Sequence, residues 1–170
     1  MNLKKVKFLF TLVILSLSLP LFALDSDKQE VMHVVADTAS LNQSKHLGTY
    51  NGNVEFIQGT SNLHAARAVT KGNNKNQLDL AIAHGDKQKQ AHYWTETGPG
   101  KPPFHAYANT IRYLPLKHRI ELIGNARVVQ GTNSLSAAKI IYDTISKHVT
   151  SENDASTRTT IIYYPDKKPS

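Results

Sequence analysis

The sequence predicts a single all-β domain of short antiparallel strands, on three observations. Turn-forming residues recur at short intervals, from Asn51-Gly52 and Gly59-Thr60 to Gly124-Asn125 and Gly131-Thr132-Asn133. The stretches between them alternate or are rich in β-branched and aromatic residues. One block of sequence occurs twice. Short strands between regular turns indicate a sandwich, a barrel or a solenoid. No window holds a helical period with caps.

The chain opens on a segment set apart from the fold. Lys4, Lys5 and Lys7 form a basic start, Phe8 to Leu19 an apolar run, and Pro20-Leu21-Phe22-Ala23 a cleavage site ending on a small residue. This reads as a secretory signal peptide over residues 1–23. Its apolar run is short for a bilayer span, which needs about 20 residues. An uncleaved membrane anchor is the rival reading, because Leu21 is not the small residue preferred two positions before the cut. Residues 24–164 form the predicted domain and 165–170 a polar tail. Removing the leader leaves seventeen basic against thirteen acidic residues, a net charge near +4. That suits a soluble protein or a partner bearing phosphates or carboxylates. An exported chain without a Lys/Arg cluster interleaved with aromatics is no nucleic-acid binder.

Strands are predicted at Val31–Ala36, Val54–Ile57, Leu78–Ile82, His92–Trp94, Ile111–Tyr113, Ile120–Ile123, Ala126–Val129 and Thr159–Tyr164. Leu135–Ile141 tolerates helix through its Ala-Ala pair, but the repeat assigns it to a strand. Gly52–Arg67 aligns without gaps onto Gly124–Lys139, and half of the aligned positions are identical. A finer unit is marked by Ala36-Asp37, Ala65-Ala66, Ala108-Asn109 and Ala137-Ala138, followed at similar distances by Gly52, Gly85, Gly124 and Asn153. Repetition of this kind implies units that bury apolar faces against one another. Thr95–Pro103, with two glycines and three prolines, reads as a solvent loop or a lid.

Alternation puts Met32, Val34, Ala36, Val54, Phe56, Leu63, Ala65, Ala126, Val128, Leu135 and Ala137 on inward faces, and Glu55, His64, Arg67 and Arg127 outward or at rims. The inward set is small and aliphatic. It suits either a tight core or a slot for thin alkyl chains. Cysteine is absent, which excludes disulfides and thiol chemistry. The eight histidines stand apart in sequence, without metal-ligand spacing, and no nucleophile elbow or carboxylate pair can be picked out. No catalytic residue, metal or cofactor is therefore expected. Trp94 reads as core or edge packing.

Gly52-Asn53-Val54 and Gly124-Asn125-Ala126, each followed by Gln-Gly-Thr and Leu-x-Ala, together with Val31–Asp37, resemble the OstA-like family of lipopolysaccharide export proteins over about Val31–Tyr164. The resemblance implies an elongated, slightly twisted antiparallel β-jellyroll folded like a taco, with no enzymatic activity and a periplasmic location. It implies that lipid A acyl chains lie between the two sheets, lined here by Val34, Ala36, Val54, Phe56, Leu63, Ala65, Leu80, Leu122, Val128, Leu135 and Ala137. Arg67, Lys71, Lys117 and Lys139 would meet the phosphates at the rim. Docking is implied through the uncharged first and last strands, at Met32, Val34, Ile161, Ile162, Tyr163 and Tyr164. The implied partners are lipopolysaccharide, further copies of the chain head to tail, an LptC-like inner-membrane protein at the N-terminal edge and an LptD-like outer-membrane barrel at the C-terminal edge.

Overall fold

The computed structural model describes residues 27, 30–75 and 77–165; the predicted leader and residues 166–170 lie outside them. Among the described residues the strands run β1 (Met32–Val35), β2 (Thr38–Asn42), β3 (Leu47–Gln58), β4 (Ser61–Gly72), β5 (Leu78–His84), β6 (Ala91–Thr95), β7 (Phe104–Ala108), β8 (Thr110–Leu114), β9 (Arg119–Gln130), β10 (Asn133–Asp143), β11 (Val149–Glu152) and β12 (Thr160–Ile162). All pairings are antiparallel. The region with a helical alternative, Leu135–Ile141, lies within β10. Among the described residues no helix is long and apolar enough to cross a membrane.

The four long strands explain the architecture. The second half of β3 pairs with β1 and its first half with β2. In the same way β4 divides between β6 and β5, β9 between β7 and β8, and β10 between β12 and β11. One continuous sheet is thus folded along a crease into two layers. Layer one runs β1-β3-β4-β6-β7-β9-β10-β12, and layer two β2-β3-β4-β5-β8-β9-β10-β11. At about 4.8 Å between strands, each layer extends about 35 Å across its strands. The strand halves are about 17 Å long, so the molecule is elongated along its hydrogen-bonding direction.

The crease is written in the repeat. Gly52 and Asn53 have φ of 75° and 45°, and Gly124 and Asn125 have 78° and 48°. Two successive left-handed residues turn each long strand from one layer into the other, and glycine and asparagine are the residues that tolerate this conformation. The Asp37 amide donates to the Gly52 carbonyl at 2.9 Å, and the Asn109 amide to the Gly124 carbonyl at 2.9 Å. All four alanine-led markers of the finer repeat fall on this crease. The repeat extends beyond the aligned block: 3-10 turns at Gln43–Lys45 and Pro115–Lys117 end on left-handed His46 and His118. The Gln58 side-chain amide donates to the Glu30 carbonyl, and Gln130 to that of Pro102, with donors and acceptors at matching positions of the repeat.

Candidate functional site

The site is the space between the layers. Register and alternation assign its walls. Along the crease lies a row of small residues: Ala36, Val54, Ala65, Ala91, Ala108, Ala126 and Ala137. Here the layers meet at the fold and there is room for little more than a methyl group. Farther out, layer one presents Val34, Phe56, Leu63, Tyr93, Ala106, Val128, Leu135 and Ile161 in one cross-strand row. Layer two answers with Tyr50, Ala68, Ala83, Ile111, Leu122 and Ile140, then Thr70, Ala81, Tyr113, Ile120, Tyr142 and Val149 toward its lip. Each inner face carries a nearly unbroken apolar surface across all its strands.

Ten of the eleven predicted lining residues fall on these inner rows. Leu80 does not. It pairs with Lys71, on the face opposite Ala68 and Ala83, which are buried. The run Leu78-Asp79-Leu80-Ala81-Ile82-Ala83 puts its large residues on one face and its small ones on the other. Beside the crease only the small face fits inward.

The walls bury one another over the middle of the molecule. Val54 is 1% exposed, and Ala65, Leu122, Val128, Leu135 and Ala137 are also buried, while Phe56, Leu63, Tyr93, Tyr50 and Ile120 pack against them. The interior is therefore a closed seam in its mid-section rather than a standing channel. Exposing apolar surface costs about 25 cal/mol per Å², so two greasy faces close on each other. The openings are at the ends. Val34 is 38% and Leu41 71% exposed at the N-terminal end, and Ile161 63% at the other. A cleft of about 500 Å³ lined by Leu41, Asn42, His46, Leu47, Gly48 and Thr70 opens beside β2.

Both ends carry unpaired strand edges. Among the described residues β1 and β2 each pair only with β3, and β11 and β12 only with β10. Val31, Met32, Val34, Val35, Ile161, Ile162, Tyr163 and Tyr164 are exposed. Met32, Val34, Ile161 and Ile162 thus sit on edge strands of layer one, whereas Tyr163 and Tyr164 lie just past β12, which is shorter than the predicted Thr159–Tyr164. Sequence reasoning missed that layer two ends in a second pair of edges, β2 and β11; an uncharged run, Thr38–Asn42, was the available signal.

At the lip of layer one the Asp27 carboxylate accepts from the Thr60 amide at 3.1 Å, the Thr60 hydroxyl at 2.7 Å and the Ser61 hydroxyl at 3.0 Å. Burial would raise this carboxyl, but the bonds from Thr60 and Ser61 outweigh it and hold it below the usual range. The predicted solvent loop is partly anchored: Thr95 and Thr97 are buried, and the Gln130 side chain donates to the Thr97 hydroxyl at 3.0 Å. Of the basic rim residues, Lys71 and Lys117 lie toward the lip of layer two. Arg67 and Lys139 lie beside the crease on the outer face, where Lys139 pairs with Glu152 at 3.0 Å.

The outer face of layer one holds what the sequence concealed. Register brings His64, His92, Trp94, His105 and Tyr107 together from three strands. His92 stacks on Tyr107 with centroids 4.3 Å apart and on Trp94 at 4.7 Å, and its Nε2 lies 3.0 Å from Nδ1 of His105. Trp94 is therefore an outer-face residue, not a core one. Burial first, then the His105 and His64 imidazoles, push His92 down to about 4. Among the described residues no set of three or more His, Asp or Glu side chains is arranged to hold a metal ion.

A family model described as LptA/(LptD N-terminal domain) LPS transport protein matches residues 33–148. The chain is 32% identical over 122 residues to the lipopolysaccharide export system protein LptH of Pseudomonas aeruginosa, covering 72% of this chain and 68% of that one. It is 27% identical over 155 residues to the lipopolysaccharide export system protein LptA of Escherichia coli, covering 91% and 82%. The crystal structure of LptH, described as the LptA-homologous periplasmic component of the lipopolysaccharide transport device of Pseudomonas aeruginosa, matches with a TM-score of 0.72 at 27% identity, covering 82% of this chain and 99% of that one. The matched segment takes in the crease repeat and both layers, and the chain belongs to the LptA/(LptD N-terminal domain) family of lipopolysaccharide transport proteins.

Proposed function

We propose that this chain is a periplasmic carrier that holds the lipid A part of lipopolysaccharide between its layers and passes it from the inner toward the outer membrane, without catalysing a reaction. The observation that carries the reading is the pair of facing apolar surfaces that continue from one unpaired edge to the other. Burying a methylene stabilises by about 0.8 kcal/mol, so an acyl chain of a dozen carbons costs roughly 10 kcal/mol to expose. A seam of small aliphatic side chains removes that cost without a specific pocket in which the lipid would stall.

The edges give the seam its continuation. An exposed, uncharged edge is an aggregation hazard unless it is paired. Adding β12 of one copy to β1 of the next would extend layer one, and β11 to β2 would extend layer two, aligning successive seams. On this reading the N-terminal edge takes an LptC-like protein and the C-terminal edge an LptD-like barrel.

Photo-crosslinkers test the reading directly. At Val54, Phe56 or Leu135 they are expected to trap lipopolysaccharide, and at outward Glu55 they are not; trapping only at Glu55 would refute the carrier. The closed mid-section favours one alternative, a β-scaffold that uses its edges and keeps a dry interior. Lipid extraction followed by mass spectrometry separates the two, since only the carrier retains lipid.

A further inference from the structure

We infer that the Tyr142 hydroxyl is the polar recognition point of the seam, hydrogen-bonding an oxygen carried by the acyl chain lodged there. The inference rests on the carrier reading and adds a specificity residue to it. Tyr142 lies on the inner face of layer two, two positions from buried Ile140 and paired with Ile120 on one side and Val149 on the other. It is itself buried, and among the buried side-chain oxygen and nitrogen atoms of the described residues its hydroxyl is the one without a hydrogen-bond partner. Ile120 and Val149 both pack against the core, so its cross-strand neighbours offer no side-chain partner.

A buried hydroxyl without a partner is costly, and phenylalanine would supply the same ring without that cost. The penalty is offset if the occupant of the seam brings an acceptor or donor oxygen to this point. A plain hydrocarbon cannot. An acyl chain can, through the carbonyl of its ester or amide link or through a hydroxyl near its head. The position suits such a group: Tyr142 lies in the row of layer two nearest the lip, where the head end of a chain entering the seam would lie. The Ala-lined crease takes the methylene tail. The hydroxyl would thus set how deep the chain sits, while the apolar walls remain indifferent to its length.

The test compares the wild-type protein, without its leader, with its Tyr142→Phe variant. Two properties are measured: thermal stability without lipid, and affinity for purified lipid A, 3-hydroxytetradecanoate and tetradecane. The variant is expected to melt about 3 °C higher, because an unsatisfied buried group is removed. It is expected to bind lipid A and the hydroxylated acid about five- to tenfold more weakly, the worth of one hydrogen bond. Its affinity for tetradecane, which brings no oxygen to the hydroxyl, should change less than about twofold. A lower melting temperature would assign the hydroxyl a structural role and overturn the inference, as would undiminished affinity for both oxygen-bearing lipids. Failure of the wild type to bind any of the three would overturn the carrier reading itself, and the inference with it.

Discussion

Replacing Gly52 or Gly124 with alanine tests whether the folded sheet depends on its crease. Both residues adopt left-handed φ, which costs an L-residue about 1 kcal/mol relative to glycine. A further cost is steric. A Cβ at Gly52 would collide with the Asp37 carboxylate, lying 2.7 Å from its Cγ and 2.9 Å from its Cβ. Asp37 cannot swing aside freely, because the Asn53 side-chain amide donates to both of its oxygens, at 3.1 and 3.3 Å. Losing those bonds or straining the corner adds about 1–2 kcal/mol. The total expected for Gly52→Ala is about 2–3 kcal/mol. Gly124→Ala should cost about the same, since its Cβ would lie 2.7 Å from Nδ2 and 3.1 Å from Cβ of Asn109. Gly131→Ala is the internal control. It shares the left-handed φ, but its added methyl group meets only Pro102, at 3.1 Å, so about 1 kcal/mol is expected. Urea denaturation at constant m-value measures all three. Indistinguishable costs for the crease variants and the control would show that the corner packing is unimportant, and would refute the crease as the organising feature.

Acidification should destabilise the fold between pH 6.5 and about 4, because over that window unfolded His92 binds a proton that the folded state refuses. His92 is only partly buried, so the effect discounts to about 1 kcal/mol. His84, lowered by its own burial and then by Arg67 and Arg112, acts in the same direction, and His92→Gln should flatten much of the slope in pH-dependent melting. The lowered carboxyl of Asp27 contributes stability present above its ordinary value near 3.8 and lost as pH falls through the folded one. Asp27→Ala should remove about 1 kcal/mol and speed hydrogen exchange at the Thr60 amide more than at the amides of the buried strands. Val34→Lys and Ile161→Lys should each weaken self-association in analytical ultracentrifugation while shifting the melting temperature by about 1 °C or less, since both side chains are exposed on unpaired edges.

Much of this architecture is legible in the sequence, for reasons that can be located. Gly-Asn at equivalent points of two repeats reads as turns, with Ile120–Ile123 and Ala126–Val129 as separate strands; the structure corrects this, since β3 and β9 run on through the left-handed pair, which bends the sheet instead of ending the strand. Ala36, Ala65, Ala108 and Ala137 mark the same crease because only small side chains, up to Val54, line it. Alternation then assigns the walls correctly wherever one face is plainly smaller or greasier, as for Val54 and Phe56. It fails at Leu80, where hydrophobicity favours the larger face and the narrowness of the fold selects the smaller. The pattern does not pick out Thr38–Asn42, Phe104–Ala108 or Val149–Glu152 as strands; β2 and β11 are short, polar edge strands held by pairing rather than by burial. The histidine and aromatic ladder is invisible along the chain because His64, His92 and His105 come together only through the long-range register of β4, β6 and β7.

The closed seam changes what carrying a lipid would require of this fold. Parting the layers breaks no ladder hydrogen bond, since every strand half pairs within its own layer and the layers are covalently joined only along the crease. A local opening that leaves the buried rows closed would part only the partly buried residues packed against that core, Phe56, Leu63, Tyr93, Tyr50 and Ile120. Fully burying a side chain of this kind is worth about 1.5–3 kcal/mol, and these are half-buried already, so lifting the five apart costs about 4–8 kcal/mol. One acyl chain returning roughly 10 kcal/mol of burial would offset that with little to spare. A seam so balanced would fill when lipid is pushed in from one edge and close behind it when the lipid moves on. On the carrier reading, the same balance would make the alanine row functional rather than merely tolerated. Ala126→Leu or Ala137→Leu would wedge the crease open, expose the mouth permanently and remove the closing force that resets the seam.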